Sequence, residues 1–271
     1  MWGDTMLTNY HTHSTFCDGA DTPEQMVLTA IEKGFDALGF SGHGYTKRDS
    51  SFCMRDTAGY IAEIRRLQIE FSDKLQVYLG VEEDLIHPAE RKAFDYIIGS
   101  SHYICKDGNY YSIDGSPASF QECVDLFGGD PIAMTQAYYD TFCTYINQRK
   151  PDIIGHFDLV TKFDEMNGFQ LMQDKAYTAQ AEKYLKYALC SGSIFEVNTG
   201  AIARGMRTAP YPSEQLLYTI KKEDGKIILS SDCHDRNKLD CYFAETRQFL
   251  RDIGFTSCCV LYNGAFVSET L

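Results

Sequence analysis

Basic residues are in short supply in this chain of 271 residues: 25 lysines and arginines stand against 38 aspartates and glutamates, a formal net charge of −13. That balance excludes the basic stripe on which nucleic-acid-binding surfaces depend. Most of the acidic excess reads as solvated surface. Long apolar runs are missing too; none approaches the roughly 18 apolar residues of a membrane span, so no membrane partner is expected. The first ten residues, MWGDTMLTNY, have neither the basic start nor the apolar core of a secretory signal. Ten cysteines without an export signal read as the reduced thiols of a cytoplasmic protein. None forms a C-x-x-C pair, and the adjacent Cys258 and Cys259 read as strand packing. No linker rich in proline, glycine and serine divides the chain and no short repeat runs through it, so one domain over residues 1–271 is expected.

What is present is an alternation. Short apolar runs (6-MLTNY, 36-DALGFSG, 76-QVYLGVE, 95-DYIIGSS, 152-DIIGHFD, 193-SIFEVNTG and 226-KIILSSD) are separated by longer amphipathic stretches. In 22-TPEQMVLTAIEKG-34, Thr22 is placed to cap a helix, Pro23 to start it and Gly34 to stop it. In 56–71, Tyr60, Ile61, Ile64, Leu67 and Phe71 recur at helical spacing. Further helices are expected around 131–149, 174–190, 213–223 and 240–252. Strands alternating with helices imply βαβ units about a parallel sheet, and seven such units favour a closed or nearly closed α/β barrel. A hairpin is expected within 103-YICKDGNYYSIDGS-116, where turn residues separate tyrosine-rich runs. The C-terminal 257-SCCVLYNG is expected to add a last strand beside the first.

Histidine is sparse, at seven, and unevenly placed. His11 and His13 stand one residue apart in 9-NYHTHSTFCDGA-20, and on an extended strand such residues face the same side. His43 follows the second run, Glu82 and Glu83 end the third, and His102 closes the fourth. His156 and Asp158 end the fifth, Glu196 and Asn198 lie on the sixth, and Asp232 and His234 end the seventh. Six of the seven histidines thus sit at carboxyl ends of expected strands, the face on which parallel barrels carry their chemistry. Singly, each has an ordinary alternative: His102 as a core histidine, Glu82 or Asp232 as a helix cap. Independent caps do not gather nearly every histidine at equivalent positions. So many imidazoles and carboxylates in one pocket are costly through desolvation and repulsion unless cations are present. The mixed nitrogen and carboxylate set suits zinc, iron or manganese, and its size exceeds one tetrahedral ion, which implies a multinuclear centre.

In this order, HxH, GxE, SH, GHxD and SDxH resemble the polymerase-and-histidinol-phosphatase (PHP) family of metallophosphoesterases. The resemblance runs from Tyr10 to 249-FLRDIGF. It is nearest to the histidinol-phosphate phosphatase branch through Asp18 of 17-CDG-19 and the segment 196-EVNTGAIARG-205. It implies a distorted (β/α)7 TIM-like barrel whose metal site lies at the C-terminal ends of the strands, in a single PHP-type domain. It also implies two or three divalent transition-metal ions. His11, His13, Glu82 and Asp232 would hold one; Glu82 would bridge to a second held by His102 and His156; Asp18, His43 and His234 would hold the third. The G-x-E spacing from Gly80 selects Glu82 over Glu83. His87 matches no motif and reads as a surface histidine.

The resemblance implies a phosphomonoesterase acting on a small molecule, L-histidinol phosphate, as a step of histidine biosynthesis. A metal-bound hydroxide is the natural nucleophile of such a centre. Arg204 and Arg207, in 200-GAIARGMR-207, follow the sixth strand and suit phosphate through bidentate hydrogen bonds. Asp84 or Glu196 could pair with the ammonium or imidazolium of the substrate. Two rival readings remain at this stage: the same site acting on a nucleotide or sugar phosphate, and a metal-binding regulatory module without turnover.

Overall fold

The computed structural model describes residues 5–47 and 51–271. Its strands, in chain order, are β1 (Thr8–Asn9), β2 (Ala37–Phe40), β3 (Gln76–Asp84), β4 (Tyr96–Ser100), β5 (Tyr103–Lys106), β6 (Asn109–Ser112), β7 (Ile153–Ile154), β8 (Ile194–Asn198), β9 (Ile227–Ser230), β10 (Ser257–Tyr262) and β11 (Ala265–Thr270). The helices are α1 (Pro23–Glu32), α2 (Thr57–Glu70), α3 (Pro117–Asp125), α4 (Pro131–Arg149), α5 (Asp164–Asn167), α6 (Lys175–Leu189), α7 (Gly200–Ala203), α8 (Glu214–Lys222) and α9 (Phe243–Ile253). Helix α1 starts where its residues dictate: Thr22 and Gln25 form a reciprocal capping box around Pro23. No helix among the described residues is long and apolar enough to cross a membrane.

The seven expected strands are all formed and follow one another in parallel, β1-β2-β3-β4-β7-β8-β9. The seam between first and last is the distorted part. Beyond β1 and β9 the chain bridges directly, Thr12 to Cys233, with His13 N–H donating to the Cys233 carbonyl (2.8 Å) and Cys233 N–H to that of His11 (3.2 Å). Below that bridge β10 inserts beside β9. There the hydroxyl of Tyr10 donates to the Leu261 carbonyl (2.8 Å) and accepts from the Leu261 N–H (2.9 Å). The seam is therefore crossed by backbone at its C-terminal rim and, beneath it, by two buried side chains, Tyr10 and Asn9, the latter donating to the Ser231 hydroxyl at 2.7 Å. The 257–264 segment corrects the expectation drawn from sequence. It pairs with β9, the last parallel strand, and turns back into β11 as an antiparallel hairpin.

Inside the barrel Tyr10, Tyr96, Ile98, Ile153, Ile194 and Ile228 pack into one cluster. Tyr96 fits because Gly80 faces it; a Cβ there would come within 2.2 Å of the ring. Its hydroxyl reaches the Tyr10 carbonyl at 2.5 Å. This layer is the floor of the site above. Outside, α1 and α2 cover one flank and α3, α4, α6, α8 and α9 the other. The hairpin expected within 103–116 is β5 with β6. Helix α9 begins three residues later than its pattern predicts, because 239–242 turn and Tyr242, at φ +60°, stands in the left-handed region just before it.

Candidate metal centre

Strand β3 decides the centre. Its side chains alternate, so Glu82 points into the barrel and Glu83 out. Glu83 is buried on the outer side, where it accepts from Tyr145 (2.5 Å), Arg149 (2.6 and 2.8 Å) and the Ala89 N–H (2.8 Å). Glu82 meets five histidines from four places in the chain. Its Oε2 lies 2.9 Å from His43, 3.2 Å from His11 and 3.5 Å from His13. Its Oε1 lies 3.0 Å from His156 and 3.5 Å from His102. One carboxylate thus divides the imidazoles between its two oxygens.

The remaining carboxylates close the arrangement. Asp232 Oδ1 stands 3.2 Å from His13 and 3.5 Å from His11. Asp18 faces His234 at 3.3 Å, His43 at 3.7 Å and His13 at 3.8 Å. Donor atoms fall within reach of a common ion in four overlapping groups. These are His13, Asp18, His43 and His234; His11, Glu82 and His156; His11, His13 and Asp232; and His43, Glu82 and His102. All nine residues singled out from sequence are in them. His87 is in none; it lies 3.3 Å from the Thr46 hydroxyl.

Three of the imidazoles are held from behind. His11 Nδ1 donates to Glu196 at 2.6 Å, His102 Nδ1 to Asp84 at 3.1 Å, and His234 Nδ1 to the Asp232 carbonyl at 3.0 Å. Each partner can only accept, so Nδ1 carries the proton and the Nε2 lone pair is presented to the cluster. Glu196 also accepts from the His156 N–H (2.8 Å) and Asn198 (2.9 Å). Asp84 accepts a second bond from the His102 N–H at 2.9 Å. These two acids therefore orient histidines of the cluster from behind. Their neighbourhood with the histidines was visible in the chain, but which way each points follows only from the barrel.

The donor set fits divalent cations. His11 Nε2, His13 Nε2 and Glu82 Oε2 are buried and make no hydrogen bond, an arrangement that is costly unless those lone pairs have a cation. The protonation states point the same way. Burial disfavours charge on His11, but Glu196, Glu82 and Asp232 outweigh it and push its pKa well above the ordinary value. Burial likewise opposes charge on His102, yet Glu82, Asp84 and Asp114 lift it to about 10. His13 goes the other way, down to about 3, because burial combines with repulsion from His234 and His43. Burial would raise Glu82, and His11, His43 and His102 hold it well below the usual carboxylate range instead.

The arginines separate. Arg204 caps the short helix α7 and donates to Asp232 Oδ2 at 2.9 Å and to its carbonyl at 3.1 Å. Gly200 makes room for it: a Cβ there would sit 2.9 Å from the guanidinium and from the Asp232 Cβ. Arg204 stays 34 % exposed, at the edge of the cluster. Arg207 does not join it. Gly205, at φ +70°, reverses the chain between them. The Arg207 guanidinium is fully buried against the Tyr211 ring, 2.9 Å from the Thr161 hydroxyl and 4.0 Å from Asp158. It balances a buried acid and offers no donor to solvent.

The profile of the PHP domain matches residues 9–200. The chain is 27 % identical to a protein of Schizosaccharomyces pombe named probable histidinol-phosphatase, over 96 % of this chain and 90 % of that one. It is 24 % identical to the histidinol-phosphatase of Bacillus subtilis, over 83 % and 92 %. Its fold is similar to the crystal structure of histidinol phosphate phosphatase from Lactococcus lactis in complex with zinc, L-histidinol and phosphate. There the TM-score is 0.68 at 21 % identity, covering 96 % of this chain and 98 % of that one.

Proposed function

The chain belongs to the PHP domain family, and on that premise we propose that it is a metal-dependent phosphomonoesterase hydrolysing L-histidinol phosphate to L-histidinol and phosphate. The observation that carries this reading is Glu82, which divides five imidazoles between its two oxygens while buried donor atoms around it lack hydrogen bonds. A site of that kind in a family of phosphoesterases, in a chain whose relatives are named histidinol-phosphatases, is built for phosphate ester cleavage. We assign three ions: one to His11, His13, Glu82 and Asp232, one to Glu82, His102 and His156, and one to Asp18, His43 and His234. When bound, they supply Lewis acidity toward phosphoryl oxygens and a nucleophile usable at neutral pH.

The residues of the chain do the rest. Glu82 holds two of the positions at a fixed separation. Glu196 and Asp84 keep the lone pairs of His11 and His102 aimed inward. Arg204, anchored on Asp232 and still partly open, is placed to neutralise phosphoryl oxygens as charge develops. The reaction needs no covalent intermediate on the protein. We read residues 1–271 as one domain acting in the cytoplasm, where free thiols persist; all ten cysteines are free. The substrate is a small molecule, and neither nucleic acid nor membrane takes part.

The test is phosphate release by zinc- or manganese-loaded protein across a panel of phosphomonoesters. L-Histidinol phosphate is expected to give the highest kcat/KM. A clear preference for a nucleotide or sugar phosphate would overturn the substrate, and no release from any ester by fully loaded protein would leave a metal-binding module without turnover.

A further inference from the structure

Strand β8 ends in Asn198, whose side chain is completely buried. Its backbone is pinned on Tyr211: the Asn198 N–H donates to the Tyr211 carbonyl (2.8 Å), and the Asn198 carbonyl accepts from the Tyr211 N–H (3.0 Å). The side-chain amide has two partners of opposite kind. Nδ2 donates to Glu196 Oε2 at 2.9 Å, and Oδ1 accepts from the Gly200 N–H at 2.8 Å. A carboxylate oxygen only accepts and a backbone N–H only donates, so the group between them must do both, as an amide does. Each partner leads to a different part of the centre. Glu196 Oε1 meets His11 Nδ1 at 2.6 Å. Gly200 opens α7 and its carbonyl accepts from the Arg204 N–H at 3.0 Å, while Arg204 Nη2 donates to Asp232 Oδ2 at 2.9 Å. Asp232 Oδ1 in turn stands 3.5 Å from His11 Nε2. The contacts thus form a closed circuit through His11, Glu196, Asn198, Gly200, Arg204 and Asp232.

We infer that Asn198 is a positioning residue that couples the two arms of this circuit. Through Glu196 it fixes the imidazole of His11 toward its ion, and through Gly200 it fixes α7 and hence Arg204 toward the phosphate. A phosphoryl group that is to meet ion and guanidinium together needs both arms set at once, because small misplacements of either are costly. The inference rests on Arg204 being the phosphate-facing arginine of the reading above.

The test measures affinity for zinc, by competition with a chelator, and for inorganic phosphate, by calorimetry on zinc-loaded protein. It compares wild type, Asn198→Ala, Asn198→Asp, Arg204→Ala and the double variant of Asn198→Ala with Arg204→Ala. Asn198→Ala cuts both arms, so both affinities are expected to fall about tenfold or more. Asn198→Asp keeps an acceptor for Gly200 but turns a second carboxylate toward Glu196. Zinc affinity should therefore fall in that variant while phosphate binding at saturating zinc stays near wild type. Asn198 reaches phosphate only through Arg204, so Asn198→Ala should cost no further phosphate affinity once Arg204 is alanine. A loss that simply adds to that of Arg204→Ala would overturn the inference. So would wild-type zinc affinity in Asn198→Asp, a readout that stands even where Asn198→Ala does not fold. Variants that behave as expected in a protein that releases phosphate from no ester would uphold the coupling and overturn the phosphatase reading instead.

Discussion

At the scale of single residues, the proposed centre turns on Glu82, assigned to two of three ions, and Asp18, assigned only to the third. Glu82→Gln keeps the shape but removes the charge on which His11, His43 and His102 converge. The group of His13, Asp18, His43 and His234 does not include Glu82, so the variant is expected to retain one ion per chain and lose turnover. Asp18→Ala should do the converse and lose one ion only. Elemental analysis after dialysis checks both, and a Glu82→Gln protein with full metal content would refute the bridging role. The two arginines give a matched pair. Removing Arg207 strands Asp158 in a fully buried place, so Arg207→Ala should destabilise the fold by about 3–5 kcal/mol, seen in urea unfolding. Arg204→Ala should instead lower kcat/KM about one to two decades with little change in that midpoint. Sequence alone could not part them. Three residues apart on one glycine-rich loop they look equivalent, and the reversal at Gly205 that turns Arg207 away from the cluster into the core is a backbone angle. Glu82 and Glu83, by contrast, were told apart by the G-x-E spacing from Gly80; strand alternation says only that the two face opposite sides.

At the scale of elements, every strand that presents a ligand was legible, because each is a short apolar run between amphipathic stretches and ends in a polar residue that the run does not need. The seam was not. Strand β10 carries the same apolar signal whether it lies beside β1 or β9. In the fold it pairs with β9 through backbone, while toward β1 it meets the Tyr10 side chain, whose hydroxyl bonds both the N–H and the carbonyl of Leu261. Strand β11 is mostly exposed, and α5 and α7, four residues each, are too brief to show a period; α3, nine residues long behind a Ser116 cap with Phe120, Cys123 and Val124 on one face, carries a readable signal yet is absent from the expected helices. The seam makes its own prediction. Tyr10→Phe removes the hydroxyl that meets both the N–H and the carbonyl of Leu261, and no water reaches a side chain buried to 0 %. The loss is expected to be about 1–3 kcal/mol in chemical unfolding, with metal content as in wild type. A loss of ions in that variant would mean that the seam also sets the spacing of His11 and His13.

At the scale of the whole molecule, protons and metal ions compete for the same place. Without ions, His11 and His102 hold protons to well above neutrality, His102 to about 10. A histidine raised in the fold stabilises it fully below the ordinary value of roughly 6.5 and stops doing so as pH rises through the folded value. The metal-free chain therefore loses this contribution between about pH 6.5 and about pH 10. On the acid side Glu82 and Asp232, held low in spite of burial, lose theirs as pH falls through their folded values. His13, lowered to about 3, works against the fold as soon as the unfolded chain takes up its proton below about pH 6.5. Ions reverse the alkaline limb. They bind deprotonated imidazole, so loading must expel the protons of His11 and His102, and affinity rises with pH. The gap in Tm between metal-loaded and metal-free protein is thus expected to widen from about pH 6 to about pH 9, measured by calorimetry at fixed free metal. Addition of zinc to the metal-free protein in weak buffer at neutral pH should release protons. A gap that stays constant or narrows, with no proton release, would mean that these histidines are already neutral and that Glu196, Asp84 and Glu82 do not hold them charged in the way their contacts require.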